Sequence, residues 1–175
     1  MSKIIVTGAA GFIGSNLLAG LNAMGETDIL AVDELGRDDR WKNLSGRTFA
    51  DYMEKDDFRF ALRHDALGSV DAVFHLGACS STTERNASFL IDNNTQFTRE
   101  VCEWCLQHDA RMIYASSAAT YGNGNQGYVD DDSLLDDLRP LNPYGYSKHL
   151  FDLWASRRGL LNQIVGLKYF NVYGP

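Results

Sequence analysis

Short apolar runs bounded by glycine and polar residues alternate with longer stretches whose apolar positions recur every three or four residues. The first run, Ile4-Ile5-Val6, is β-branched and reads as a buried strand. Phe12, Ile13, Leu17, Leu18 and Leu21 follow at helical spacing. Runs at 28–33, 70–78, 111–117 and 163–169 predict further buried strands, and Phe49-Ala50-Asp51 predicts a short one. Helical spacing marks 54–66, 88–108 and 144–159. Strands that alternate with helices from end to end predict an α/β fold, a doubly wound parallel sheet covered on both faces. The polar segment 34–47 reads as a loop, and the acidic run 130–137 as a solvated surface excursion ended by Pro140 and Pro143.

Between the first strand and the first helix stand Gly8, Gly11 and Gly14. Gly8 permits a sharp turn, Gly11 lets backbone approach a pyrophosphate, and Gly14 allows close helix–strand packing. The free amides and positive dipole end of the helix then face the phosphates. Asp33 closes the second strand about twenty residues further on, where a carboxylate accepts hydrogen bonds from a ribose. A plain helix N-cap is the competing reading of Asp33. Arg37, Arg40 and Lys42 can hold a 2′-phosphate, whereas Asp33 and Glu34 repel one, so these residues leave NAD and NADP both open. Gly77 and Ala78 end the fourth strand with small residues, against which a dinucleotide can lie. Together these features predict a Rossmann-type NAD(P)-binding domain over 1–175.

Length and composition restrict the rest. A chain of 175 residues, 45% hydrophobic and 22% charged, suits one soluble domain with a sizeable core. A net charge of -7 argues against a nucleic-acid or anionic-membrane binder, though not against a phosphate held by local amides. No apolar run is long enough to span a bilayer and the N-terminus lacks a signal-peptide layout. With three cysteines, an odd number, a reducing cytoplasm is the expected location. Cys102-x-x-Cys105 lies mid-helix in an apolar stripe and lacks a second pair for zinc, so packed core thiols are expected and no metal. His75 reads as a satisfied strand-end histidine. The stop at Tyr173-Gly174-Pro175, directly after an apolar run, reads as the first part of something longer.

The chemistry gathers in Asn142-Pro143-Tyr144-Gly145-Tyr146-Ser147-Lys148. Tyr144 and Lys148 are four apart on a helix and share a face. A free phenol titrates near 10 and is a poor base at neutral pH. A neighbouring ammonium, joined by a nicotinamide cation, favours the phenolate. Tyr144 can then take a substrate hydroxyl's proton while hydride leaves for the nicotinamide. Lys148 is also expected to bond the nicotinamide ribose, and Ser117, ending the fifth strand, to donate to the same substrate oxygen. A Tyr-x-x-x-Lys pair alone is common; joined to the glycine turn and the Ser116-Ser117 strand end it becomes specific.

These motifs, with Tyr169-Phe170-Asn171-Val172-Tyr173-Gly174-Pro175, resemble extended short-chain dehydrogenases/reductases acting on nucleotide sugars. His75-x-Gly77-Ala78-Cys79-Ser80-Ser81-Thr82-Thr83-Glu84, Asp92-Asn93-Asn94 and Tyr114 to Gly122 are similar to the branch that epimerises ADP-heptose for the lipopolysaccharide inner core. The resemblance covers essentially the whole chain. It implies Tyr144 as acid/base residue supported by Lys148 and Ser117, and Phe12 and Ile13 at the pyrophosphate turn. It places Asp33 and Glu34 at the adenosine ribose, and Arg40 and Lys55 near cofactor phosphates or adenine. Leu76, Gly77, Ala78, Cys79, Ser80 and Asn93 would line the dinucleotide, Ser80, Ser117 and Asn171 would meet substrate, and Val172 the nicotinamide end. It further implies NADP as cofactor, with NAD possible, and a homo-oligomer at full length. Hydride would leave C6″ of the heptose and return to its other face, with no net oxidation. Positions 34 and 40 depart from the family's usual amide and lysine, and its second acid/base lysine and substrate domain would fall after Pro175. The competing readings are a 4-epimerase, a 4,6-dehydratase (disfavoured because Ala118-Ala119 supplies no acid pair) and a non-catalytic dinucleotide-binding module.

Overall fold

The computed structural model describes residues 3–174. Contacts divide the chain into two compact units, Met1–Gly77 with Glu100–Ile113, and Ala78–Arg99 with Tyr114–Pro175.

The first unit opens with β1 (Ile4–Thr7), buried along its whole length, and α1 (Phe12–Ala23). β2 (Ile29–Asp33) and β4 (Ala72–His75) flank β1 in parallel, Ile4 standing opposite Ile29 on one side and Ala72 on the other. β3 (Asp51–Glu54) pairs with β2, Leu30 opposite Asp51. Of the three residues expected to form it, Phe49 and Ala50 lead into it and Asp51 is its first. β3 is an edge strand with no fully buried side chain, so its pairing leaves no apolar signal. α2 (Lys55–Arg63) follows, burying Phe58, Ala61 and Leu62. Ile4, Val6, Ala9, Leu18, Ile29 and Ala31 form one core cluster, which fixes the strand ends where the glycine turn departs. Cys102 and Cys105 are fully buried, and burial pushes both thiols up to about 12, as inert core groups should be.

In the second unit the helix expected over 88–108 begins as α3 (Ala87–Leu90) and widens into a π-helical segment, Ile91–Gln96. It resumes as α4 (Phe97–Gln107), whose greater part belongs to the first unit. Apolar spacing cannot register this widening, because Asn93, Asn94 and Thr95 are the buried residues that occupy it. β5 (Arg111–Ser117) is shared by both units, and its end runs into a 3₁₀ turn, Ala118–Tyr121. The acidic run is only partly a solvated excursion. A 3₁₀ segment, Asp132–Asp137, buries Leu135, which packs with Leu138 and Tyr121. α5 (Pro143–Arg157) and β6 (Ile164–Tyr169) complete the unit. Strand order in the parallel sheet is β3-β2-β1-β4-β5-β6. On β6, Val165 and Leu167 are exposed. Among the described residues no helix is long and apolar enough to cross a membrane.

Candidate active site

Gly8 adopts φ +68°, and a Cβ there would meet the Gly77 amide nitrogen at 2.7 Å. A Cβ on Gly14 would overlap the Gly8 carbonyl, so the turn closes only with these residues. Gly11 is the N-cap of α1 and supplies no side-chain cap, so the helix presents free amides to a ligand. Phe12 is 44% exposed beside them.

Asp33 does not cap a helix; Asp38 does that for the 3₁₀ segment Asp39–Leu44. Its carboxylate instead accepts the Ala10 amide at 2.7 Å through Oδ2 and the Glu34 amide at 2.7 Å through Oδ1. β2 is thereby tied to the glycine turn. Burial pushes the Asp33 carboxyl up, opposed by those two amides and by the Arg40 guanidinium 3.8 Å away. Lys55 Nζ lies 2.6 Å from Glu34 Oε2, and that bond holds Glu34 down. Thr7 Oγ1 accepts the Gly77 amide at 3.0 Å and lies 2.9 Å from His75 Nδ1, so His75 is the satisfied histidine expected. The uncapped helix start, the glycines that exclude a Cβ and the pre-bonded carboxylate fit a dinucleotide.

The second unit holds the other predicted residues. Asn142 caps α5 by accepting the Gly145 amide at 2.7 Å, with Pro143 at the first turn. Tyr144 and Lys148 therefore lie one turn apart, Tyr144 half-buried and Lys148 5% exposed. Lys148 Nζ donates to the Ala115 carbonyl at 2.8 Å. Burial pushes its ammonium down to about 8, against the pull of the Asp152 carboxylate. Ser117 Oγ accepts the Ala119 amide at 3.1 Å, which leaves its hydroxyl proton for donation. Ala78 and Cys79 are half-buried, and Ser80, Asn171 and Val172 exposed.

Asn93 is buried, but the more telling amide is its neighbour. Asn94 accepts the Cys79 amide at 2.9 Å and donates to the Cys79 carbonyl at 3.0 Å and to Ser147 Oγ at 2.9 Å. It thus links the Cys79 turn to the helix of Tyr144 and Lys148. Asp152, Lys168 and Thr120 lie outside the site residues expected from the sequence. Asp152 accepts from Tyr114 Oη, Ser116 Oγ and Lys168 Nζ. Its signal was available: Asp152 continues the face of Tyr144 and Lys148 at the same four-residue interval. The Asp152–Lys168 pair borders a cavity of about 650 Å³ in this unit, lined also by Tyr121, Tyr128 and Phe170.

Residues 4–175 match the model of the NAD dependent epimerase/dehydratase family. The chain belongs to this family. Among curated members, it is 55% identical over 172 residues to the ADP-L-glycero-D-manno-heptose-6-epimerase of Nitratidesulfovibrio vulgaris strain DP4, covering 98% of this chain and 53% of that one. It is 51% identical to the enzyme of the same name from Cupriavidus pinatubonensis, covering 98% and 51%. The chain thus spans about half the length of these epimerase relatives. The crystal structure of Helicobacter pylori ADP-L-glycero-D-manno-heptose-6-epimerase superposes with a TM-score of 0.82 at 32% identity, over 99% of this chain and 56% of that one. A Bacillus cereus UDP-glucuronic acid 4-epimerase in complex with NAD gives 0.76 at 27%, over 99% and 57%. The doubly wound parallel fold of this epimerase/dehydratase chain is therefore as the sequence predicted.

Proposed function

We propose that residues 1–175 are the dinucleotide-binding part of an enzyme that converts ADP-D-glycero-D-manno-heptose to ADP-L-glycero-D-manno-heptose. The observation that carries this reading is the 51–55% identity to heptose 6-epimerases across 98% of the chain. The similar 4-epimerase structures stand at 26–30%, which favours the heptose branch. A bound nicotinamide supplies the hydride acceptor and donor. Tyr144 takes the proton of the C6″ hydroxyl and returns it when the opposite face is reduced. Ser117 donates a hydrogen bond to the same oxygen, and Lys148 stabilises the phenolate and holds the nicotinamide ribose. Asn171 and Ser80 contact the sugar nucleotide. Arg40 and Lys55, beside the acidic end of β2, support NADP over NAD as the cofactor. A substrate-binding domain in the remaining length, assembly of full-length copies, cytoplasmic location and a role in inner-core heptose synthesis belong to the same proposal.

The test is interconversion of the two ADP-heptose epimers by the full-length protein, followed by NMR of the C6″ proton. Tyr144→Phe is expected to lower turnover by about 10²–10⁴-fold with dinucleotide affinity unchanged. Wild-type protein that binds cofactor but interconverts no epimers overturns the reading in favour of a binding module.

A further inference from the structure

The geometry points to Asp152 as a positioning residue that holds Lys148 in its cationic, working state, an inference resting on the catalytic reading of Tyr144 and Lys148. Asp152 lies one turn beyond Lys148 on α5 and is 2% exposed. Its Oδ1 accepts from Tyr114 Oη at 2.9 Å, and its Oδ2 from Ser116 Oγ at 2.7 Å and Lys168 Nζ at 3.0 Å. Tyr114 and Ser116 are two apart on β5 and so share one face of the strand. Lys168 comes from β6 and also donates to Thr120 Oγ1 at 2.8 Å. Thr120 Oγ1 in turn donates to the Ser117 carbonyl at 2.8 Å. One carboxylate therefore joins the helix of Tyr144 and Lys148, the strand ending in Ser117, and the strand leading to Asn171.

The arrangement is built rather than incidental. A Cβ on Gly166 would come within 2.5 Å of Tyr114 Oη, so the phenol reaches Asp152 only because β6 carries glycine there. Buried ion pairs are often no better for stability than apolar residues of the same shape, so this one asks for another role. Lys148 supplies it. Burial drives that ammonium toward its neutral form, and the carboxylate one turn away opposes the drive.

The other charged and titratable groups around Lys148 can be named element by element. Tyr144 and His149 lie on α5, with Asp136 and Arg139 acting on His149. Tyr114 comes from β5 and Lys168 from β6. Tyr121 belongs to the 3₁₀ turn, its ring 5.1 Å from Lys168 Nζ. The π segment contributes the neutral Asn94 amide and Thr95 hydroxyl and carries the exposed Asp92, and α3 carries no charged residue. Asp152 thus opposes the loss of charge on Lys148, and Lys168, which shares the carboxylate, is expected to temper that pull.

Asp152→Asn and Lys168→Met both break the ion pair but act on Lys148 with opposite sign. In the full-length protein the alkaline limb of kcat/KM is expected to move down by about one pH unit in Asp152→Asn, and upward in Lys168→Met. Carbon-13 NMR of the lysine side chains, with Lys148 assigned through Lys148→Arg, reads the same titration without turnover. An inactive wild-type enzyme therefore sinks the catalytic reading while the NMR arm still decides this one. Gly166→Ala, which displaces the Tyr114 phenol but keeps both charges, is expected to lower stability and leave the Lys148 titration in place. If Asp152→Asn does not fold, the upward shift in Lys168→Met decides the matter. Shifts of the same sign in both variants, or none in Lys168→Met, would show a purely structural carboxylate and overturn the proposal.

Discussion

At the scale of single residues, the site is built from groups held away from their comfortable states. Lys148 shows this most directly. Its ammonium titrates near 8 in the fold against 10.5 when free. Between those values the unfolded chain binds more protons than the folded one, so folding stability rises with pH through that window. The charge therefore destabilises the fold fully below about pH 8, and the penalty is relieved as pH approaches 10.5. Lys148→Met should accordingly be more stable than wild type at pH 7 by on the order of 1–3 kcal/mol, the cost of a shifted buried charge less its hydrogen bond to Ala115. Urea unfolding at pH 7 and pH 10 checks this, with the gain shrinking at the higher pH. Gly14→Ala is the opposite case. Its methyl would overlap the Gly8 carbonyl, so stability should fall by about 1–3 kcal/mol and dinucleotide affinity should drop with it, measured by calorimetry.

At the scale of elements, the π segment matters more than its six residues suggest. Asn94 satisfies both backbone groups of Cys79 and a hydroxyl on α5 from inside it, and is fully buried. Asn94→Ala would leave buried donors and acceptors unmatched, and should cost about 2–4 kcal/mol in chemical denaturation. This is also where reading the sequence meets its limit. Ile4-Ile5-Val6 and the glycines announce their strand and turn, because burial and tight turns demand particular residue types. The widening at 91–96 is set by polar bonds to distant residues, and apolar spacing carries no trace of those. The extent of β3 beyond Asp51 escaped for a related reason, since an exposed edge strand is defined by backbone pairing that any side chain permits. The Tyr144 and Lys148 pair was legible from its spacing. The place of Asp152 on that face was legible in the same way, but its burial was not, because that depends on what β5 and β6 bring to it.

For the whole molecule, a dinucleotide held as proposed by the glycine turn with Asp33, Glu34, Arg40 and Lys55 would make its binding a measurable gain in stability. A saturating dinucleotide at a hundred times its dissociation constant should stabilise the protein by about 2.7 kcal/mol, read as a rise in thermal midpoint. NADP+ is expected to raise the midpoint more than NAD+; the reverse order would mean that the Glu34 carboxylate, bonded to Lys55 at 2.6 Å, repels the 2′-phosphate. The fold also distributes its three thiols unequally, Cys79 half-buried and Cys102 and Cys105 sealed. Alkylation of the native protein should therefore proceed in two stages, one sulfur modified quickly and two only as fast as the helix carrying them opens. The quick stage should slow when dinucleotide is added, so a single reagent would report occupancy through one cysteine and breathing of the interior through the other two.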